Sequence, residues 1–488
     1  MTLPVEAPRP ALPDVVKHDR DYTYLAHTAS LCPECKRVVQ AKVVERDGKV
    51  WLRKTCPDHG FVESLQSSDA AYYRYQQEFA RPGTLPQQFQ TETALGCPQD
   101  CGLCPDHEQH TCLGLIDLTD ACNMRCPACF ANSDTGIFLP LETVEKMLDS
   151  LVASEGVADI VQFSGGEPTL HPRLFDIIDL ARTKAVRHVM INTNGIRIAS
   201  DETFVKRLAQ YKEDFEVYLQ FDGLRKETYL TLRGQDMTDV RTRALENLAK
   251  HDIPTTLVAV LESGVNMDEV GDIVRHALRY PNVRGVTFQP QTHSGRWTDF
   301  DPRERVTVPD VIAALAAQAP EHFERDDFVP LPCHPECISM TYALRNGKEL
   351  LPLPRVLDVK KLLGIAGNTI AFENEPEVRG ALKELWSASA AMQSLKTLKA
   401  LRCCLPSVTA REVRYENVFR IVIIAFMDAW NFDVKSAKKC CVHHVLPDGR
   451  IMPFCSYNTL HRRKMVVPEG GAVGSTPQRL VGDAGHAP

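Results

Sequence analysis

The stretch Cys122-Asn-Met-Arg-Cys126-Pro-Ala-Cys129, at residues 122–129, decides how the rest of the chain is read. Three thiolates in one tight loop suit a cubane iron–sulfur cluster held at three corners, with the fourth iron left without a protein ligand. A structural zinc or a plain electron-transfer cluster normally needs a fourth cysteine. Cysteine is 17 of 488 residues. A C-x3-C-x2-C pattern would therefore arise by chance roughly 0.02 times in such a chain. It occurs twice, at 97–104 and at 122–129.

The loop follows a short predicted strand at 115–118. Beyond it, Leu141, Val144, Met147, Leu148 and Leu151 have helical spacing. A second strand at 160–163 runs into Ser164-Gly165-Gly166-Glu167-Pro168, whose glycines permit close backbone approach to a ligand. Glu167 can accept hydrogen bonds from an ammonium group. Leu174, Phe175, Ile177 and Ile178 mark the next helix. A third strand at 188–193 ends in Asn192-Thr-Asn194-Gly195, with amides suited to ribose hydroxyls. Strands at 215–221, 255–260 and 283–288 continue the alternation. Six βα repeats imply a parallel sheet flanked by helices, doubly wound or an open barrel, with ligands at the C-terminal strand ends. Gln220 and Asp222 at the fourth strand end, and Gln289, Gln291 and His293 at the sixth, are the candidate substrate-facing residues. An open iron in the Cys122 loop could chelate S-adenosylmethionine (SAM), whose reductive cleavage releases a 5′-deoxyadenosyl radical.

Upstream, Cys32-Pro-Glu-Cys35 and Cys56-Pro-Asp-His59-Gly60 flank two alternating strands joined at Asp47-Gly48, a hairpin signal. Two knuckles across a hairpin form a zinc-ribbon or rubredoxin-like site for zinc or mononuclear iron, with His59 the nearest candidate for the fourth ligand. Cys97, Cys101, Cys104 and Cys112 suit a fully ligated auxiliary 4Fe–4S cluster, a four-cysteine zinc site being the alternative. In the C-terminal part, Cys333 and Cys337 are expected to join one or two of Cys440, Cys441 and Cys455 in a second auxiliary cluster. The adjacent Cys403 and Cys404 read as small buried residues. A helical section at 375–400 and an apolar strand at 420–426 complete this region.

Net charge is −7, and no excess of Lys or Arg points to nucleic acid. The apolar run at 421–426 is far short of the roughly 20 residues a membrane span needs. The N-terminus lacks a signal-peptide pattern, and many clustered thiols fit a reducing compartment. A cytoplasmic protein is expected, with membrane-surface contact left open.

The Cys122 loop, the Gly165–Pro168 turn and the strand–helix alternation together resemble the radical SAM superfamily and its incomplete (βα)6 TIM-like barrel. That resemblance implies cluster ligation by Cys122, Cys126 and Cys129, contact of the SAM amino group by Gly165, Gly166, Glu167 and Pro168, and a ribose contact by Asn194. It departs at Ala128, where most members carry an aromatic residue; here Phe130 follows the third cysteine instead. The wider set, with the CPxC…CPxHG knuckles, GCPQDCGLCPDHEQHTC, FQPQTHSGR at 288–296 and the CVHH…PDGR…PFCSYN tail, is similar to the tetraether lipid synthase group of radical SAM proteins. The group includes a pterin-methylating member. The implied α/β architecture is a flexible 1–30, a metal-knuckle hairpin domain at 31–93, an auxiliary cluster segment at 94–112 and a radical SAM core at 113–300. A cysteine-bearing α+β extension at 301–463 and a disordered tail at 464–488 follow.

The expected reaction is hydrogen abstraction from an unactivated carbon, leading to carbon–carbon bond formation on a lipid-like substrate. Pterin methylation and peptide maturation are the enzymatic alternatives, and a zinc-ribbon interaction protein with a degenerate barrel is the non-enzymatic one. A low-potential donor, ferredoxin or flavodoxin, would supply the electron. An apolar tunnel would favour the lipid, and a compact chamber with convergent polar groups the pterin.

Overall fold

The computed structural model describes residues 20–131, 133, 136–355 and 418–462. Cys403, Cys404, the helical section expected at 375–400 and the tail from 464 lie outside the described residues.

Four antiparallel strands open the chain: β1 (Thr23–Leu31), β2 (Val38–Arg46), β3 (Lys49–Cys56) and β4 (Gly60–Ser67), paired in that order. The β2–β3 turn is the expected one, since Asp47 and Gly48 both take positive φ, at 54° and 72°, as a two-residue hairpin turn of matching twist requires. The ordered sheet begins at Thr23, inside the segment expected to be flexible. Its first strand is retained because it docks: Thr28 donates to Asp433 at 2.5 Å and Ser30 to the Phe432 carbonyl at 2.5 Å. From β3, Lys54 Nζ donates to the carbonyls of Ala429 and Trp430, both at 2.8 Å. Burial pushes this amine down to about 7.

The second sheet starts with β5 (Leu113–Thr119), β6 (Ala158–Gly165), β7 (Val186–Thr193), β8 (Phe215–Gln220), β9 (Thr255–Leu261) and β10 (Val283–Pro290). All six are parallel and lie side by side in chain order, as six βα repeats predict. Their cores are runs of Val, Ile, Leu and Phe with near-zero exposure, the composition of strands covered on both faces. On the helix Leu141–Glu155, Val144, Met147, Leu148 and Leu151 are buried, one face of a helical repeat.

The described C-terminal strands join the same sheet. The strands β11 (Val329–Pro330), β12 (Ile338–Asn346), β13 (Glu349–Pro352) and β14 (Val418–Ile424) extend the sheet past β10, with β14 parallel to β10 and β12 antiparallel to β14. At the opposite edge β15 (Val442–Val445) adds in parallel to β5, and β16 (Ile451–Pro453) closes that side as a hairpin. The path β11-β12-β14-β10-β9-β8-β7-β6-β5-β15-β16 thus extends the six-stranded core at both ends. Among the described residues its two ends make no strand pairing, so an open seam faces the C-terminal segments.

Candidate active site

The chain leaves β5 into the Cys122 loop, and the loop is clamped by backbone contacts from two directions. The Gly166 and Glu167 amides donate to the carbonyls of Thr119 (2.7 Å) and Ala121 (2.8 Å). Gly165 takes φ +118°, and a Cβ there would lie 2.1 Å from the Thr119 oxygen; a Cβ on Gly166 would lie 2.1 Å from the Ala121 oxygen. The two glycines therefore serve first to seat the end of β6 against the root of the cysteine loop. From the far side, Arg296 donates its amide to the Cys129 carbonyl (3.1 Å) and its guanidinium to the carbonyls of Cys126 (3.3 Å) and Ser133 (2.6 Å). Gly295, at φ +68°, passes so close that a Cβ would sit 2.3 Å from the Cys129 oxygen.

All three thiols border one cavity of about 620 Å³ that occupies the barrel lumen. Burial pushes the Cys122 thiol up to about 12 and also raises Cys126, against the pull of the Arg233 guanidinium beside it. Arg233 ends the helix Lys226–Arg233 and forks onto Asp222 with contacts of 2.6 and 2.5 Å. It also donates to Gln220 Oε1 at 2.9 Å; Gln220 donates to Asn192 Oδ1 (2.8 Å), and Asn192 to Ser164 (3.2 Å). A hydrogen-bonded chain thus crosses the C-terminal ends of β8, β7 and β6 beside the cysteine loop.

Glu167 is buried and receives four donors: the Thr169 amide and hydroxyl, the Thr193 hydroxyl (2.8 Å) and the Asn194 amide (2.8 Å). Burial still raises its pKa. The carboxylate's shown role is to lock the β6 turn to the end of β7. Asn194 bonds Asn123 in the cysteine loop at 2.6 Å.

Gln220 and Gln289 border the cavity, as expected of substrate-facing residues. Asp222, Gln291 and His293 are not among its lining residues, each for a visible reason. Asp222 is fully buried under Arg233. The Gln291 amide donates to the Thr292 carbonyl (2.9 Å). His293 lies flat on Phe300, ring centroids 3.4 Å apart, and burial pushes its pKa down to about 3.

Several wall residues have no motif to announce them. Glu216 is buried against Arg420 (2.5 and 2.7 Å) and accepts from Thr256. Burial alone would raise this carboxyl, but Arg420 and His188 hold it well below its usual range. Asp117 meets Arg462 at 3.1 Å and His444 at 3.6 Å. Gln289 donates to the Tyr218 hydroxyl at 3.3 Å. The lining also includes apolar side chains, Ile338, Met340, Val422, Ile424, Phe426 and Phe454, with Phe130 edge-on to Phe454 at 5.4 Å.

The other cysteines group across the chain. Cys32, Cys35, Cys56 and His59 bring their ligand atoms within 4.8 Å of one another, which makes His59 the fourth member as expected. Cys112, expected alongside Cys97, Cys101 and Cys104 in one auxiliary cluster, has its sulfur within 4.8 Å of those of Cys333 and Cys441. Cys101 has the Cys97, Cys440 and Cys104 thiols as neighbours, and Cys337 has those of Cys455 and Cys440. Of the expected C-terminal set, Cys333 and Cys441 thus gather near Cys112, and Cys337, Cys440 and Cys455 near one another.

Residues 116–277 match the radical SAM superfamily, and residues 24–68 match the HMPTM N-terminal zinc ribbon domain. The 7,8-dihydro-6-hydroxymethylpterin dimethyltransferase of Methanocaldococcus jannaschii is 34% identical over 481 residues, 90% of this chain and 94% of that protein. The mycofactocin maturase MftC of Mycolicibacterium smegmatis is 27% identical over 190 residues, 38% of this chain and 47% of that protein. Among solved structures, Streptococcus suis SuiB bound to precursor peptide SuiA has a TM-score of 0.38 at 16% identity, covering 44% of this chain and 47% of that one.

Proposed function

The chain belongs to the radical SAM superfamily, and from that membership we propose that it methylates a pterin-like heterocycle at carbon, with a one-carbon donor as co-substrate. When bound, a 4Fe–4S cluster on Cys122, Cys126 and Cys129 supplies the electron that cleaves SAM and so provides the hydrogen-abstracting radical. The chain's own residues bind, orient and shield. The Gly165–Pro168 turn and Asn194 would receive the SAM amino group and ribose, and Glu167 keeps the turn in place.

The observation that carries the choice of substrate is the mixed lining of the lumen. It combines the amides of Asn192, Gln220 and Gln289, the first two already hydrogen-bonded in the chain that crosses the strand ends, with aliphatic and aromatic side chains. A pterin is flat, with apolar faces and a polar edge, and suits such a lining. A long lipid chain gains about 0.8 kcal/mol per CH₂ only where its surroundings are apolar. Against this lumen it would strip water from amides and from the Glu216–Arg420 pair without replacing their hydrogen bonds. The relationship over 94% of the M. jannaschii pterin enzyme supports the same reading.

The anaerobic, reduced enzyme is incubated with SAM, the one-carbon donor and either 7,8-dihydro-6-hydroxymethylpterin or an archaeal-type diether lipid, and the products are weighed by mass spectrometry. A pterin heavier by one or two methyl groups is expected. A coupled lipid alongside an unchanged pterin would overturn the proposal.

A further inference from the structure

Six carboxyl groups border the lumen, and five of them are accounted for. Glu167 is filled by the four donors that lock the β6 turn, and Glu216 by Arg420 and Thr256. Asp159 meets Arg187 at 2.7 Å near the start of β6, and Glu213 and Asp214 are exposed just before β8. Asp117 is the sixth. It lies in β5, shortly before the Cys122 loop, and its register partner on β6 is Ser164. It therefore continues, by one strand, the polar row that runs through Ser164, Asn192 and Gln220.

Asp117 is only 9% exposed. Its two ionic contacts, with Arg462 Nη2 at 3.1 Å and His444 Nδ1 at 3.6 Å, both reach Oδ2. Among the described residues no donor reaches Oδ1, and a carboxylate has lone pairs for about four. Burial pushes the His444 imidazole down to about 3, so the ring adds no charge of its own. A buried carboxylate with acceptor sites to spare is costly unless a ligand supplies the donors. The same two partners tie Asp117 to flat surfaces. The His444 ring lies within 18° of parallel to Phe454 with centroids 5.3 Å apart, and the Arg462 guanidinium lies 5.8 Å from the centre of Phe130. Phe130, His444 and Phe454 all border the lumen. A carboxylate among aromatic rings suits a planar heterocycle that carries adjacent N–H donors.

Resting on the pterin reading above, we propose that Asp117 receives the pyrimidine edge of the substrate, its two oxygens accepting from the ring N3–H and the 2-amino group. Those donors stand side by side on a pterin and match the two oxygens of one carboxylate, as paired N–H groups do elsewhere. The ring carbons C6 and C7 are at the other end of the bicycle. A pterin held in this way presents them to the lumen, away from β5. Arg462 and His444 are positioning residues that fix the carboxylate.

The test exchanges donor for acceptor on both sides of the contact. Binding of 7,8-dihydro-6-hydroxymethylpterin and of its 2-oxo analogue, the corresponding lumazine, is measured by calorimetry on anaerobic, cluster-loaded enzyme with SAM and no reductant. In the lumazine a carbonyl oxygen replaces the 2-amino donor and would face a carboxylate oxygen. Wild type should bind the pterin roughly 10- to 100-fold more tightly. Asp117→Asn offers one acceptor and one donor, so the variant should prefer the lumazine, an inversion that a merely structural role would not produce. A variant that keeps the wild-type preference overturns the assignment and leaves the pterin reading standing. Equal binding of both ligands by wild type overturns it too, without needing any variant to fold. A wild type that binds neither ligand overturns the pterin reading itself, and the assignment with it.

Discussion

The Cys122 loop and the group of Cys112, Cys333 and Cys441 use the same side chain for opposite ends. The loop's cysteines are half-buried, contiguous in sequence and arranged along the wall of a cavity. Those of the second group are fully enclosed, come from three distant segments and crowd together away from that cavity. A cluster held at the first would keep a face toward a ligand, whereas the second group is closed in on itself. The difference teaches that exposure and spacing, more than cysteine count, separate a reactive centre from a structural one.

The largest effect should come from breaking the open side. Cys126→Ala removes one of three cluster thiolates, and 5′-deoxyadenosine formation should drop to background under strong reductant. Much of the other bound iron should remain, since Cys126 is in neither compact thiol group. If all the iron were lost along with activity, the two regions would not be independent.

Next comes the support of the loop. Gly165→Ala places a Cβ against the Thr119 oxygen at a φ that L side chains rarely adopt. It should cost at least about 1–3 kcal/mol, read as a lowered Tm, together with weakened SAM binding by calorimetry. An unchanged Tm with normal SAM binding would show that the turn has room to relax.

A smaller change belongs to the polar wall. Gln289→Leu leaves the cysteine loop intact but removes amide contacts worth about 1–3 kcal/mol when left unmade. The KM for the pterin should rise about tenfold, with SAM cleavage in the absence of pterin unaffected. A matching loss of that uncoupled cleavage would mean that Gln289 supports the cluster side instead.

The smallest expected effect lies outside both thiol regions. Burial pushes the Glu262 carboxyl up to about 7 from its usual 4.5. The folded chain then holds a proton that the unfolded chain has released, so stability falls as pH rises from 4.5 through 7. Glu262→Gln should remove that fall, and its Tm advantage over wild type should grow across this window and level off above it. A pH-independent difference would contradict the assignment.

The motif regions were legible because their chemistry is local. C-x3-C-x2-C, the GGEP turn and the Asp47-Gly48 hairpin each sit within a few residues, and the six core strands carry their own apolar signature. What the sequence concealed is long-range. Nothing near Cys112 says that it meets Cys333 and Cys441, because that meeting depends on strand order at both edges of the sheet. Arg233 and Arg296 read as ordinary surface-type residues until the fold aims one at Cys126 and the other at the loop's carbonyls. Asp222 and His293 look reactive at strand ends, yet Arg233 neutralises the first and Phe300 covers the second. The glycines at 165 and 166 were recognisable, though they serve the approach of β6 to the Thr119–Ala121 backbone as well as any ligand.

The central claim is that a radical formed at the Cys122 loop takes hydrogen from a pterin carbon in the adjoining lumen. The direct measurement is isotope transfer: 7,8-dihydro-6-hydroxymethylpterin deuterated at its carbon positions, incubated anaerobically with SAM, reductant and the one-carbon donor. The account predicts deuterium in the 5′-deoxyadenosine, formed together with methylated pterin. Unlabelled 5′-deoxyadenosine with the pterin recovered unchanged would contradict it.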